Sequence, residues 1–322
     1  MSHFDVFNGD ADGMCSLHQL RLYHPVDAII VTGVKRDIAL LERTDAAAGD
    51  SVTVLDISLQ VNRSALLTLL ARGASVQYFD HHDCGEVPAH PLLETVIDTS
   101  PDVCTGILVD RWLGGKHRIW AAVAAFGDNL GPQARELAAS LSLSLSPKQI
   151  QALQELGECL NYNAYGDSEA DLIAAPSMLY DILSAHADPF GFIEDEPVFR
   201  AIRSARDSDL ALARQVPAAH QAPFGKIMIL PDAAWGRRVR GAYANLLAVE
   251  SPAQAHAVLT PNGHGRYTIS VRAPLAAMHG ADLLCNSFPS GGGRPAAAGI
   301  NELGTDMLPQ FIAAFERAFC GK

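Results

Sequence analysis

The sequence contains no apolar run approaching the roughly 18 residues of a membrane span. Its first residues, MSHFDVFNGD, lack both a basic start and an apolar signal core, so a cytoplasmic protein is expected. Cysteine is sparse and scattered: Cys15, Cys84, Cys104, Cys159, Cys285 and Cys320 form no C-x-x-C pair. A zinc ribbon and a disulfide framework are thereby disfavoured, and thiols serving as small apolar side chains are expected. Basic residues are in deficit, with 24 Lys and Arg against 36 Asp and Glu, a formal charge of −12. So acidic a chain repels a long phosphate backbone, whose binding rests on many Lys and Arg contacts. Long duplex nucleic acid and membranes are therefore not expected as partners. A small phosphorylated substrate met by a few local basic groups is compatible. No internal repeat and no low-complexity tract interrupts the 322 residues.

What is present reads as an ordinary globular chain, too long for one typical core. Short apolar runs at 3–7, 27–33, 51–58 and 75–80 have strand character. Between them MCSLHQLRLY and NRSALLTLLARGA carry apolar residues at helical spacing. This alternation predicts an α/β fold, a mostly parallel sheet flanked by helices. Segments 104–113 and 120–130 read as buried helices, and a helical stretch follows to about 186. The stretch PAAHQAPFG, 217–225, reads as a linker. Beyond it, strand-like KIMILP and GRYTISVRAP and helix-like DMLPQFIAAFERAF predict a smaller C-terminal α/β domain across a cleft. The expected division is a catalytic, metal-binding domain at 1–186, a helical linker at 187–225 and a substrate-binding domain at 226–322.

In parallel sheets, polar residues at the carboxyl ends of strands line the ligand crevice. Asp10 and Asp12, one residue apart in NGDADG, follow the first run. Asp56 follows the third. Asp80, His81 and His82 follow the fourth, and Asp128 closes the apolar segment ending in AFGDN. Taken singly, each piece reads as a solvated turn, a helix cap or a surface histidine pair. Together they lie at one edge of one inferred sheet. Aspartates with one or two imidazoles suit hard or borderline divalent cations such as Mn²⁺ or Mg²⁺. In the distal SGGGRPAAAG, glycines let backbone N–H groups approach a phosphate closely. The fork of Arg294 offers that phosphate planar donors. WGRRVRG, 235–241, is either a phosphate-steering patch or a solvated helix face.

The ordered motifs NGDADG, VLDIS, DHH and FGDN, followed by GGGRPAAAG, resemble the DHH phosphoesterase superfamily with its C-terminal DHH-associated domain. That superfamily includes RecJ-type exonucleases, nanoRNases, cyclic dinucleotide phosphodiesterases and family II pyrophosphatases. The resemblance implies two divalent cations, Mn²⁺ first, with Mg²⁺ or Co²⁺ as alternatives. Asp10 would bind one ion and Asp12 the other. Asp56 would bridge them, and His81 and Asp128 would complete the shell of the second ion. Asp80 would orient its neighbours, and His82 would reach the substrate phosphate or protonate the leaving oxygen. Arg272, Gly292, Gly293 and Arg294 would bind substrate. The implied activity is a phosphodiesterase, or short-oligonucleotide exonuclease, releasing mononucleotides from linear dinucleotides or short oligonucleotides through a two-metal-activated water. A cyclic dinucleotide phosphodiesterase is the alternative, as is a non-catalytic nucleotide-binding regulator on the same scaffold. A homodimer is compatible. Two positions depart from the pattern: Val6 stands where many members have histidine, and Asn8 where RecJ-like members have aspartate. With Asn8 as an uncharged ligand, the first site is expected to bind its ion weakly or to complete its shell with substrate oxygen.

Overall fold

The computed structural model describes residues 1–141 and 144–320. The chain divides into two compact units. The first comprises Met1–Ala164 and Ile173–Arg203, the second Tyr165–Leu172 and Ser204–Lys322.

The first unit is built on five parallel strands: β1 (His3–Phe7), β2 (Ile29–Val31), β3 (Ser51–Leu55), β4 (Ser75–Asp80) and β5 (Leu93–Ile97). Their spatial order is β2-β1-β3-β4-β5. Chain order thus reverses direction beside β1, and such a reversal opens a crevice at the carboxyl edge. Strands β1, β3 and β4 end at or within three residues of the predicted carboxylates Asp10, Asp56 and Asp80. The helices α1 (Ala11–Tyr23), α2 (Leu59–Ala71), α3 (Thr105–Trp112) and α4 (Arg118–Gly127) cover the sheet. Further helices follow at α5 (Gly131–Ala139), α6 (Pro147–Ala164), α7 (Pro176–Ser184) and α8 (Pro189–Asp195). Phe4 and Val6 of β1 and Val52 and Val54 of β3 are buried with Leu59, Leu66, Leu69 and Leu70 of α2. The opposite side buries α1, of which every residue from Ala11 to Leu20 is inaccessible. A helix covered on all sides needs close neighbours, and small residues let them approach. A Cβ on Gly127 of α4 would stand 2.3 Å from the Ala11 Cβ and 3.0 Å from the Gly157 carbonyl oxygen.

Helix α9 (Pro197–Ala213) begins in the first unit and ends in the second. The second unit holds β6 (Ala218–Ala222), β7 (Gly225–Ile229), α10 (Ala234–Glu250), β8 (Ala255–Pro261), β9 (Arg266–Arg272), α11 (Ala281–Asn286), β10 (Gly291–Gly293), β11 (Ala297–Gly304) and α12 (Leu308–Phe319). Its sheet runs β10-β11-β9-β8-β7-β6. Pairing is antiparallel except between β7 and β8. Phe311, Phe315 and Phe319 of α12, spaced by four, fall on one helical face and are buried with Ile227, Leu259, Ile269 and Val271.

Several elements differ from the sequence expectation. The segment 217–225 is not a linker: its residues form β6 and the turn into β7, paired antiparallel. An edge strand takes its conformation from its partner, and AAHQA carries no apolar alternation to announce it. The segment 187–225 is accordingly α8, α9 and β6, and the units part inside α9 rather than at its ends. The glycine stretch is a strand, since Gly291–Gly293 pairs antiparallel with Ala298–Ile300. Strands β5 and β8 and helix α11 have no counterpart in the sequence expectation. The cysteines are all free. Among the described residues, no helix is long and apolar enough to cross a membrane.

Gly127→Ala is expected to force α4 away from α1. The overpacking should cost about 1–3 kcal/mol, read as a lower melting temperature in scanning calorimetry. An unchanged melting temperature would show that the contact relaxes without cost.

Candidate metal centre

Asp10 follows β1 through Asn8 and Gly9 and is the N-cap of α1. Its Oδ1 accepts the N–H groups of Asp12 at 3.0 Å and Gly13 at 3.2 Å. A carboxylate is favoured there because the helix start presents unpaired N–H groups and a positive dipole end. The other oxygen, Oδ2, accepts from Nζ of Lys35, in the segment after β2. That ammonium also donates to Oδ1 of Asn161 on α6 at 2.9 Å. Burial alone would raise the Asp10 pKa, but the Lys35 charge and these hydrogen bonds bring it below the usual carboxylate value.

Asp12 lies on the first turn of α1, yet it caps another helix. Its Oδ2 accepts the Thr105 N–H at 2.8 Å and its Oδ1 the Gly106 N–H at 2.7 Å, at the start of α3. Glycine is needed at 106, where a Cβ would meet the Ala124 Cβ at 2.4 Å. Burial raises the Asp12 pKa; His81 opposes this, while Asp128 and Asp10 add to it.

Asp56 follows β3 with φ of 60°. That left-handed conformation is unfavourable for a non-glycine residue and occurs where surrounding structure imposes it. Its N–H donates to the Phe79 carbonyl at 3.0 Å, and its Oδ1 accepts from Thr105 Oγ1 at 3.3 Å. Burial, then the charges of Asp12 and Asp10, push its pKa well above the usual value.

His81 stands next to Asp56. Its Nδ1 lies 3.0 Å from the Val103 carbonyl oxygen. A carbonyl only accepts, so the proton sits on Nδ1. Nε2 is then 3.2 Å from Asp56 Oδ1 and 3.7 Å from Asp12 Oδ2. This nitrogen thus faces two carboxylate oxygens, a set of donors suited to a cation among them. A backbone carbonyl fixing the far nitrogen is the usual support for a metal-binding imidazole. Asp128 closes α4 as its C-cap, half-buried and close enough for its charge to act on Asp12. Asn129, directly after it, has φ of 61°.

His82 is oriented differently. Its Nδ1 lies 2.7 Å from Oδ1 of the fully buried Asp80. Burial would lower the His82 pKa, but that hydrogen bond and the Asp80 charge outweigh it and raise it. Among the described residues, Asp80 Oδ2 has no hydrogen-bond partner. One ligand atom each from Asp56, His81 and His82 can be chosen within 4.8 Å of one another. The donor set fits a divalent cation: carboxylate oxygens and an imidazole nitrogen converge on one point, with a buried carboxylate oxygen nearby left without a partner.

Asn8, expected as a ligand, turns its polar atoms elsewhere. Its Oδ1 accepts the Asp10 N–H at 3.2 Å and its Nδ2 donates to the Lys35 carbonyl at 3.1 Å. Val6 is wholly buried in the strand core. Sequence reasoning missed Lys35, Asn161, Thr105 and the Val103 carbonyl. Only Lys35 carried a signal, as a basic residue soon after a strand end.

In the second unit, Arg272 closes β9 and its Nε donates to Asn245 Oδ1 at 2.6 Å. Ala297 pairs with Arg272 across the sheet and exchanges backbone hydrogen bonds with Arg294, so the two arginines share one sheet end. Gly292 has open space where a Cβ would lie, whereas Gly293, at φ of 137°, packs on Ala298. The WGRRVRG segment lies on α10 and its arginines are engaged internally. Arg237 pairs with Asp171 and Asp232, Arg238 with Asp209, and Arg240 donates to Thr260. A phosphate-steering role for that patch is not supported.

Asp56→Asn removes an acid that must ionise while buried, and asparagine tolerates positive φ. Because the folded-state pKa of Asp56 is raised, its contribution to stability is lost as pH rises above about 4. The variant should therefore melt higher than the parent in chelator, by a margin that widens with pH. It should also lose stabilisation by Mn²⁺. Scanning fluorimetry with and without Mn²⁺ reads both effects, and undiminished Mn²⁺ stabilisation would remove Asp56 from the centre.

No family model matches the sequence, and no curated protein matches it. Solved structures do. RecJ from Thermus thermophilus in complex with Mn²⁺ matches at 17% identity and a TM-score of 0.58, over 98% of this chain and 51% of that one. A manganese-bound exonuclease RecJ matches at 17% identity and 0.52, over 98% and 89%. PggH, a pGpG-specific phosphodiesterase from Vibrio cholerae, matches at 13% identity and 0.51, over 99% of both chains. The chain spans about half the length of the Thermus RecJ. At such identity the likeness establishes architecture, here α/β with a parallel five-stranded sheet and a second mixed sheet. The chain shares the α/β fold of these RecJ and PggH structures.

Proposed function

We propose that this chain is a metal-dependent phosphodiesterase that hydrolyses linear dinucleotides or short oligonucleotides to mononucleotides. The observation that carries this reading is the convergence of Asp12 Oδ2, Asp56 Oδ1 and Nε2 of His81, with the Asp80–His82 pair beside them. Asp12, Asp56, His81 and Asp128 would hold a divalent cation, with Mn²⁺ suited by the carboxylate-rich set and Mg²⁺ or Co²⁺ as alternatives. When bound, such an ion brings the pKa of water from 15.7 toward about 7 and offsets charge developing on the phosphoryl group. The resemblance implies two such ions; supporting the one beside His81, Asp12 and Asp56 each present an oxygen to that ring and the charge of Asp128 acts on Asp12.

The remaining chemistry falls to the chain's own side chains. Asp80 holds the His82 ring with its Nδ1 proton directed inward, which leaves Nε2 to carry a second proton. The raised pKa of His82 keeps that proton available near neutral pH for the leaving oxygen. Asp80 is therefore a positioning residue and His82 the acid. Arg272 and Arg294, with the open space at Gly292, would supply donors for a terminal phosphate.

Substrate size follows from charge. A chain carrying −12 whose α10 arginines are engaged internally has few cations for a long backbone. The structural likeness to PggH, described as pGpG-specific and matched end to end, agrees with a short substrate.

The test is a panel of linear dinucleotides, cyclic dinucleotides and oligonucleotides of increasing length, incubated with Mn²⁺ and resolved by chromatography. Mononucleotides should appear fastest from the shortest linear substrates. Turnover of cyclic substrates alone would move the activity to the cyclic class, and no turnover of any would leave a binding protein. His82→Ala should lower kcat by about 10²–10⁴-fold with Mn²⁺ affinity retained. Loss of Mn²⁺ binding instead would make His82 a ligand.

A further inference from the structure

Asp10 differs from the other carboxylates at this sheet edge, because the chain supplies its countercharge. One oxygen receives the two N–H groups of the α1 cap and the other the Lys35 ammonium. Lys35 is built into place. Its backbone N–H donates to the Ala164 carbonyl at 2.9 Å, its carbonyl accepts from Asn8 Nδ2 at 3.1 Å, and its Nζ bridges Asp10 and Asn161. Two separate segments therefore hold this one lysine: the turn after β1, and the end of α6 with Asn161 and Ala164. Asn8 aims its amide at the same arrangement, and Val6 is sealed in the core. Neither position offers the negative charge that would draw a divalent ion to Asp10.

We propose that the Lys35 ammonium takes the place of a second divalent cation, so that the centre binds a single ion on the His81 side. An ammonium and a divalent ion compete for the Asp10 oxygen, since like charges at contact distance repel strongly away from bulk water. Asp12 and Asp56 are held differently, by backbone N–H groups and a hydroxyl, and both present an oxygen to the His81 ring. The lysine also gives Asp10 a charge partner that survives chelation, whereas the His81 side depends on the ion. This inference rests on the proposed function only in requiring that some divalent ion bind.

Equilibrium dialysis of the full chain against Mn²⁺ with metal analysis is expected to give one ion per chain. Electron paramagnetic resonance should show an isolated Mn²⁺ rather than an exchange-coupled pair. The double variant Asn8→Asp with Lys35→Ala, which supplies charge and removes the ammonium, should take up a second ion and show the coupled spectrum. Two coupled ions in the parent would overturn the inference while leaving the phosphodiesterase reading intact. One ion in a folded double variant would also overturn it. No ion in the parent would overturn both, and the parent measurements decide the matter even if the double variant fails to fold.

Discussion

Buried negative charge is the constraint around which the first unit is arranged. Asp10, Asp12, Asp56 and Asp80 are almost wholly inaccessible and lie along three adjacent strand ends. Two carboxylates about 4 Å apart repel by about 4 kcal/mol at an effective dielectric of about 20. Such a group persists only if positive charge or N–H donors reach every member. The structure uses a different device for each. Asp10 takes a helix start and an ammonium, Asp12 the start of a second helix, Asp80 an imidazole. Asp56 receives a hydroxyl and the His81 face, and its pKa is driven well upward.

That hierarchy separates scaffold from chemistry. Carboxylates supplied with permanent donors are held whether or not an ion is present. The set around Asp56 remains incomplete by charge, and it also carries the strained backbone. Left-handed conformations at Asp56 and at Asn129 accompany the two acids brought in from β3 and α4. Strain at such positions is retained where the surrounding packing over-determines it. The packing here is tight: Gly106, Gly127 and Gly157 each sit where a single added carbon would collide. Close approach of α1, α3, α4 and α6 is what lets Asp12 reach the α3 backbone and Asn161 reach Lys35.

The second unit follows another logic. Its arginines divide into those committed to internal ion pairs on α10 and those at the end of β9 and the turn before β11. Arg237 and Arg238 neutralise Asp171, Asp232 and Asp209 and so stabilise the unit rather than a ligand. Arg272 and Arg294 are only half-buried and stand beside a glycine strand with open space. A phosphate-binding role therefore suits them better than the more conspicuous WGRRVRG run.

Much of this was legible in the residues alone. Short apolar runs ending in acids announced β1, β3 and β4, because a parallel strand buried on both faces must be apolar until it leaves the sheet. The same rule marked Asp10, Asp12, Asp56, Asp80, His81 and Asp128 as candidates for one site. The edge strands β5 and β6 and the β10–β11 hairpin were not legible, since their conformation comes from pairing rather than from their own side chains. Local sequence likewise said nothing of which countercharge each acid receives. Lys35, Asn161, Thr105 and the Val103 carbonyl come from remote segments, and only their packing brings them to the strand ends. The sequence by itself determined where the acids leave the sheet, because burial dictates the apolar pattern; tertiary structure alone decided that Asp10 is answered by a lysine and that Asp56 meets Thr105 and the His81 ring, because compensation of buried charge depends on distance through space.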